Sequence, residues 1–207
     1  MYFVRPGLLG GPLCVLNPAT GSVRVFPDLI SNQSVVALVA HQQSGLIVGG
    51  TAVKGGGGSH ATQHAAKLFV WSPTKEKLLL SVVPAGNCST ISALGVGRNG
   101  LIYGTAAGEG QASVLFAFNL TEQRVVSVTP TIYDTIYNAI GQGVDGRLYG
   151  VATAGVYTVA EKEHTLQLLA AYPRGIGAGF AIDTHKNAVF FADGPRIVSY
   201  KLPSKSS

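Results

Sequence analysis

The chain has 207 residues, of which 46% are hydrophobic and only 12% charged, with 27 glycines spread along it. Charged residues normally make up about 25% of a soluble domain, and so apolar a chain is not a disordered one. Its 15 basic and 10 acidic residues leave a net charge of +5 with no basic stripe, the feature a nucleic-acid-binding surface requires. Mean hydropathy is +0.30, yet no uninterrupted apolar run approaches the ~18–20 residues of a membrane-spanning helix. Neither nucleic acid nor membrane is an expected partner.

In chain order, the first strands read as Tyr2–Val4, Leu13–Leu16 and, after a polar turn at 17–21, Ser22–Phe26, which stops at Pro27. Val35–Val39 leads through a turn into Ser44-Gly-Leu-Ile-Val-Gly-Gly-Thr51, followed by Leu68–Trp71 and by Lys77–Val83 before Pro84. The same series recurs as Ile91–Val96, Asn99-Gly-Leu-Ile-Tyr-Gly-Thr-Ala106, Val114–Phe118 and Arg124–Thr129 before Pro130. It recurs again as Ile136–Gly141, Asp145-Gly-Arg-Leu-Tyr-Gly-Val-Ala152, Val156–Val159 and Thr165–Tyr172 before Pro173. A last, weaker copy runs Ala178–Ile182, Lys186-Asn-Ala-Val-Phe-Phe-Ala-Asp193 and Ile197–Tyr200.

The turn residues Gly45, Gly100, Gly146 and Asn187 are spaced by 55, 46 and 41 positions. Asn-Gly and Asp-Gly between apolar runs mark hairpins, because the turn needs positive φ. Proline cannot donate to a ladder, so a strand that ends in it belongs at a sheet edge. The repeating unit is therefore four antiparallel strands, named a to d from inside out, with d outermost. Units of roughly 40–50 residues built this way are β-propeller blades. A β-sandwich also yields short strands and glycine-rich turns, but it does not call for a repeating turn motif or a repeating terminal proline.

The expected fold is all-β: a single propeller domain over 1–207, with blade portions 1–33, 34–88, 89–134, 135–175 and 176–207. The chain opens on a b strand and ends after a c strand, so the two partial blades do not complete one another. The sequence reading expects a segment of a larger or imperfectly closed ring, with self-association through open blade edges. The opening residues lack the apolar core of an export signal. Cys14 and Cys88 sit in apolar contexts and are expected to be buried thiols. Asn32, Asn87 and Asn119 each begin a glycosylation sequon.

The pattern of an a strand, a turn and Leu-Ile-Tyr-Gly, followed by Leu115-Phe-Ala-Phe-Asn119, resembles blades of the gluconolactonase-like, NHL-like and virginiamycin-lyase-like propellers. The resemblance rests on structural letters across nearly the whole chain. It implies a radial ring whose members bind partners on one face or hold a metal or substrate at the tunnel mouth.

Strand alternation puts the a–b and c–d turns on one face and the b–c and d–a loops on the other. The first face carries short polar turns. The second carries longer and more varied loops, where function usually resides. Its candidates are Asn32, Lys54, His60, His64, Asn87, Glu109, Tyr133, Asp134, Asn138, Arg174 and Asp193. Tyr133, Asp134, Asn138, Arg174, Asp193 and Glu109 are the candidate ligand contacts. Tyr133, Tyr137 and Tyr172 offer either a sugar-stacking rim or packing between blades. The gluconolactonase-like resemblance implies a divalent cation held by Glu, Asp and Asn, for which Asn87, Asn138, Asp134 and Glu109 are the matching types. His60 and His64 stand four apart, as zinc ligands on a helix do, but glycines at 55–58 precede them and favour a loop. Two functions remain open. One is a non-catalytic scaffold binding a protein or carbohydrate on the b–c/d–a face, with no cofactor. The other is part of a metal-dependent lyase or lactonase acting on carbohydrate-like substrates.

Overall fold

The computed structural model describes residues 2–4, 10–55, 60–110 and 112–203, with only the backbone given for 2–4. Among them every regular element is a strand. Blade 1 comprises β1 (Tyr2–Val4), β2 (Leu13–Leu16) and β3 (Val23–Phe26). Blade 2 comprises β4 (Ser34–His41), β5 (Leu46–Ala52), β6 (Leu68–Ser72) and β7 (Lys77–Val82). Blade 3 follows with β8 (Thr90–Val96), β9 (Ile102–Ala107), β10 (Ser113–Asn119) and β11 (Arg124–Thr131). Blade 4 has β12 (Thr135–Gln142), β13 (Leu148–Ala152), β14 (Gly155–Ala160) and β15 (Thr165–Ala171). Blade 5 has β16 (Ala178–Asp183), β17 (Ala188–Asp193) and β18 (Arg196–Lys201). Neighbours within each blade pair antiparallel in chain order, and one bridge, Ala52↔Thr90, links blade 2 to blade 3. The architecture is that of β-propeller blades, as the repeat predicts.

The inner strands lie side by side, β8 between β4 and β12, with β16 next to β12. The apolar cores lie between blades rather than within them. Leu13 and Ile30 of blade 1 meet Val35, Ile47, Phe69 and Trp71 of blade 2. Val48, Leu68 and Val70 meet Ile91, Ile102 and Phe116 of blade 3, while Tyr103 and Leu115 meet Ile140, Leu148 and Tyr157 of blade 4. Tyr149 and Val151 then meet Val189 and Phe191 of blade 5. A single blade is one sheet and cannot bury its own faces, so each is stabilised by its neighbours.

The recurring Leu/Arg-Ile/Leu-Tyr/Val-Gly segment has a packing cause. On the b strands of blades 2, 3 and 4 the glycine lies directly beneath an aromatic ring of strand c. A Cβ at Gly49 would stand 2.1 Å from Phe69 Cζ, at Gly104 2.2 Å from Phe116 Cζ, and at Gly150 2.4 Å from Tyr157 Cζ. Blade 5 reverses the arrangement. The paired positions there are Phe191 on β17 and Val198 on β18, so the ring has moved to strand b and the smaller residue to strand c.

The a–b turns behave as expected. Gly45, Gly100 and Gly146 have φ of +67°, +76° and +78°, and Asn187 takes the same left-handed region at +49°. These turns also interlock. Gln43 Oε1 of blade 2 lies 3.8 Å from where a side chain at Gly100 would begin, and Arg98 Cγ of blade 3 lies 3.1 Å from the same place at Gly146.

Most strand boundaries lie within a few residues of the expected ones, and at β11 the difference carries the strand past its proline. β11 continues through Pro130 to Thr131, with Pro130 opposite Val114. Proline is tolerated inside it because β11 is the outermost strand of blade 3 and its free edge needs no donor. Cys14 and Cys88 are buried and unbonded. Burial raises the Cys88 thiol pKa above its ordinary value.

Candidate functional site

The starts of the inner strands and the loops before them lie together at one end of the blades. There a 230 Å³ pocket opens between blades 3 and 4, lined by Ser89, Thr90, Ser92, Ala107, Gly108, Glu109, Thr135 and Tyr137. Its floor is a hydroxyl chain: Ser92 Oγ lies 2.9 Å from Thr105 Oγ1 and donates to Thr135 Oγ1 at 2.8 Å. Ser92 is only 3% exposed. The bond to Thr135 therefore ties the inner strand of blade 3 to that of blade 4 and fixes where the pocket's hydroxyls stand. Glu109 forms the rim and accepts a hydrogen bond from Lys54 of blade 2. That bond, with the ammonium charge behind it, holds the Glu109 carboxyl below the usual carboxylate range. Tyr137 is 56% exposed and presents a ring to the opening.

The remaining sequence candidates scatter. Arg174 and Asp193 do meet: Arg174 Nε lies 3.3 Å from Asp193 Oδ2, which also accepts a 2.8 Å hydrogen bond from the Tyr172 hydroxyl. The bond to Asp193 raises the Tyr172 phenol pKa. The Tyr172 ring packs edge-on against Phe191 at 5.1 Å, so it serves the interface between blades 4 and 5 rather than an open rim. Tyr133 is likewise half-buried, against the core between blades 3 and 4. Asp134 is exposed, and its backbone carbonyl accepts the N–H of Thr153. Asn32, Asn87 and Asn138 are exposed residues in left-handed conformation, with φ of +56°, +60° and +53°. Asn138 occupies the bulge where β12 breaks register between Thr135 and Ile140. His60 and His64 are exposed and lie on no helix.

A cation at this end of the blades would compete with partners that two of its carboxylates already have. Glu109 is engaged by Lys54, and Asp193 by Arg174 and Tyr172. Among the described residues no three of His, Cys, Asp and Glu gather as a metal would require.

Sequence reasoning passed over a cluster on the opposite face. Glu161, in the c–d turn of blade 4, accepts the backbone N–H of Arg98 at 3.2 Å and of Asn99 at 3.3 Å. It thereby caps the a–b turn of blade 3. Tyr103 donates from its hydroxyl to the Glu161 carbonyl at 3.0 Å, accepts from Asn99 Nδ2 at 2.9 Å and lies 3.0 Å from His164 Nδ1. In blade 4 the Tyr149 hydroxyl donates to Asp145 at 2.7 Å. Burial first, then that carboxylate, pushes the Tyr149 phenol up to about 12. The signal was present in the sequence: Asn99 and Tyr103 have the same four-residue spacing as Asp145 and Tyr149, within Gly-x-Asn/Asp-Gly-x-Ile/Leu-Tyr-Gly.

The same face also holds a larger cleft, of 340 Å³, where the a–b turns of blades 2, 3 and 4 converge around His41, Gln42, Arg98 and Gln142. The short turns there are therefore more than connections.

No family model matches the chain, and no curated protein matches its sequence. Solved structures do. A gluconolactonase from Xanthomonas campestris superposes with a TM-score of 0.66 at 13% identity, over 98% of this chain and 69% of that one. A protein of unknown function from Bacteroides caccae gives 0.62 at 14% identity, over 98% and 69%. The Dos1 propeller gives 0.61 at 11% identity, over 88% of this chain and 44% of the other. What they share is the propeller fold. At such identities the likeness extends to the arrangement of blades and not to residues of a site, and the chain spans less than half of the Dos1 propeller structure.

Proposed function

We propose that the chain is a non-catalytic binding scaffold that takes carbohydrate at the end of the blades formed by its b–c and d–a loops. The observation that carries this is the hydroxyl-lined pocket with an exposed ring at its opening. Sugars are bound by polar groups fixed in position beside an aromatic face that receives the C–H side of the ring. Ser89, Thr90 and Thr135 supply the hydroxyls, Glu109 an acceptor that Lys54 keeps ionised, and Tyr137 the face.

The reading also accounts for the hydroxyl chain beneath the pocket. Ser92, Thr105 and Thr135 satisfy one another, so the pocket keeps its shape without a ligand. A preformed site loses less ordering entropy on binding.

The test is a glycan panel, followed by titration calorimetry on whichever sugar binds. Tyr137→Ala should weaken that binding at least about tenfold, the scale of a stacked ring worth ~1.4 kcal/mol, while leaving the melting temperature unchanged. No binding across the panel, or equal binding by Tyr137→Ala, refutes the assignment. Metal analysis of the purified protein tests the alternative enzyme reading: a stoichiometric divalent ion would support a lactonase or lyase against the scaffold.

A further inference from the structure

The cleft at the opposite ends of the inner strands shares no lining residue with that pocket. Its floor is the C-terminal half of the inner strands: Val39 and Ala40 of β4, Leu94 and Val96 of β8, and Ile140 of β12, with Leu148 of β13. Its rim is polar and comes from the turns, chiefly His41, Gln42, Gln43, Arg98 and Gln142. Among the described residues no carboxylate lines it, in contrast to the opposite pocket with Glu109.

Two rim groups are held in place. The buried His41 has its Nδ1 2.8 Å from Ser44 Oγ. Gln142 donates through Nε2 to the Gly146 carbonyl at 3.0 Å, which fixes its amide plane and leaves its oxygen as an acceptor. Among the described lining residues Arg98 carries the one formal charge of the rim. Among the described residues its side chain pairs with Glu161, with Nε 3.7 Å from the carboxylate oxygen. That is an ion pair at a separation too long for a hydrogen bond. Glu161 meanwhile spends its oxygens on the backbone N–H groups of Arg98 and Asn99. A guanidinium carries five N–H donors and suits a planar carboxylate, which it can grip through two of them.

A concave site of this kind, apolar below with one cationic fork and fixed amides above, matches a ligand divided the same way. We propose that this cleft binds a small organic monocarboxylate, its compact apolar body on Val39, Leu94, Val96 and Ile140 and its carboxylate on Arg98. The volume of 340 Å³ stands at the lower end of the ~300–1,000 Å³ range of small-molecule sites, which limits the body to about one ring.

Three probes on the full chain separate the contributions: benzoate, benzyl alcohol and inorganic phosphate, each followed by amide and side-chain NMR shifts. Benzoate should move the signals of Gly97, Gly100, Gly141 and the Gln142 side chain, and leave those of Ser89, Thr135 and Tyr137 in place. Benzyl alcohol, which lacks the charge, and phosphate, which lacks the body, should each bind about tenfold or more weakly, the scale of one lost charge-assisted contact or one buried ring. Arg98→Gln should lower benzoate affinity by a similar factor, and Arg98→Lys should recover part of it. Glu161→Gln keeps Arg98 but removes its partner charge, so it should not weaken benzoate. Phosphate binding as tightly as benzoate would overturn the monocarboxylate assignment. Benzoate binding unchanged in Arg98→Gln, or no shifts at the named glycines, would overturn the site itself. Failure of the glycan panel at the opposite end bears on neither result.

Discussion

Gly104→Ala tests the packing rule that gives each b strand its glycine. Gly104 does not lie in the left-handed region, so alanine is permitted there and would by itself stiffen the unfolded chain, a gain of ~0.4–1 kcal/mol. The opposing effect is larger. The new methyl would lie 2.2 Å from Phe116 Cζ, 2.6 Å from Cε1 and 2.8 Å from Leu94 Cδ2, and Phe116 is completely buried. No flexible tip can swing away, so the ring or the sheet must shift. Overpacking of this kind costs ~1–3 kcal/mol and occasionally more. A net destabilisation of about 1–2 kcal/mol is expected, which lowers the melting temperature by about 2–8 °C in a domain of this size. Gly86→Ala is the control: nothing lies within 4 Å of its Cβ position, and it should be neutral or slightly stabilising. Phe116→Leu by itself removes buried carbon and should also destabilise. In the double variant the methyl should occupy part of the space the ring vacates, giving a favourable coupling of at least ~1 kcal/mol in the thermodynamic cycle. Chemical denaturation of the four proteins measures it. Strict additivity, or a Gly104→Ala protein as stable as the parent, would refute the account of why the glycine recurs.

Gly100→Val places a β-branched residue at φ +76° and should cost ~1–2 kcal/mol or more by denaturation. Lys54→Val removes only an exposed ion pair with Glu109 and should stay within about 0.5 kcal/mol of the parent. Stability should also fall in alkali. Folded Tyr149 holds its proton up to about 12, whereas an unfolded tyrosine ionises near 10. The folded state thus binds the proton more tightly, its contribution is complete below about pH 10, and it is lost as pH rises through about 12. Tyr149→Phe should flatten that limb, and an unchanged alkaline profile would count against the Tyr149–Asp145 bond. Self-association is expected at micromolar concentration through the free edge of β18, where Ile197 is 81% exposed. Sedimentation as a compact monomer would rule it out.

The hairpins and their order were legible because they depend on short-range rules. Positive φ at Gly45, Gly100, Gly146 and Asn187 is a local demand of the turn, and only glycine and a few small polar residues meet it cheaply. The outer position of strand d was legible from its prolines, since a missing donor is tolerable only at an edge; even Pro130, inside β11 rather than after it, obeys the same constraint. The reversal in blade 5 was in principle legible too, because Phe191 stands where the other copies have glycine. It becomes meaningful only once β17 and β18 are in register and Val198 is seen opposite.

The candidate sites were less legible, because a site is defined by which blades meet. Arg174 and Asp193 lie nineteen positions apart and meet because adjacent blades place their loops together. Glu109 seemed available as a ligand until the fold brought Lys54, fifty-five positions earlier, against it. Tyr133, Tyr137 and Tyr172 look alike in sequence, yet packing buries part of the first and last and leaves Tyr137 exposed. Local sequence determined strands, turns and edges, whose energetics are settled within a few residues. The tertiary structure decided which polar groups are consumed by neighbours and which face open space. It also drew attention to the a–b end, where turns from three blades converge into a cleft that no one turn encodes.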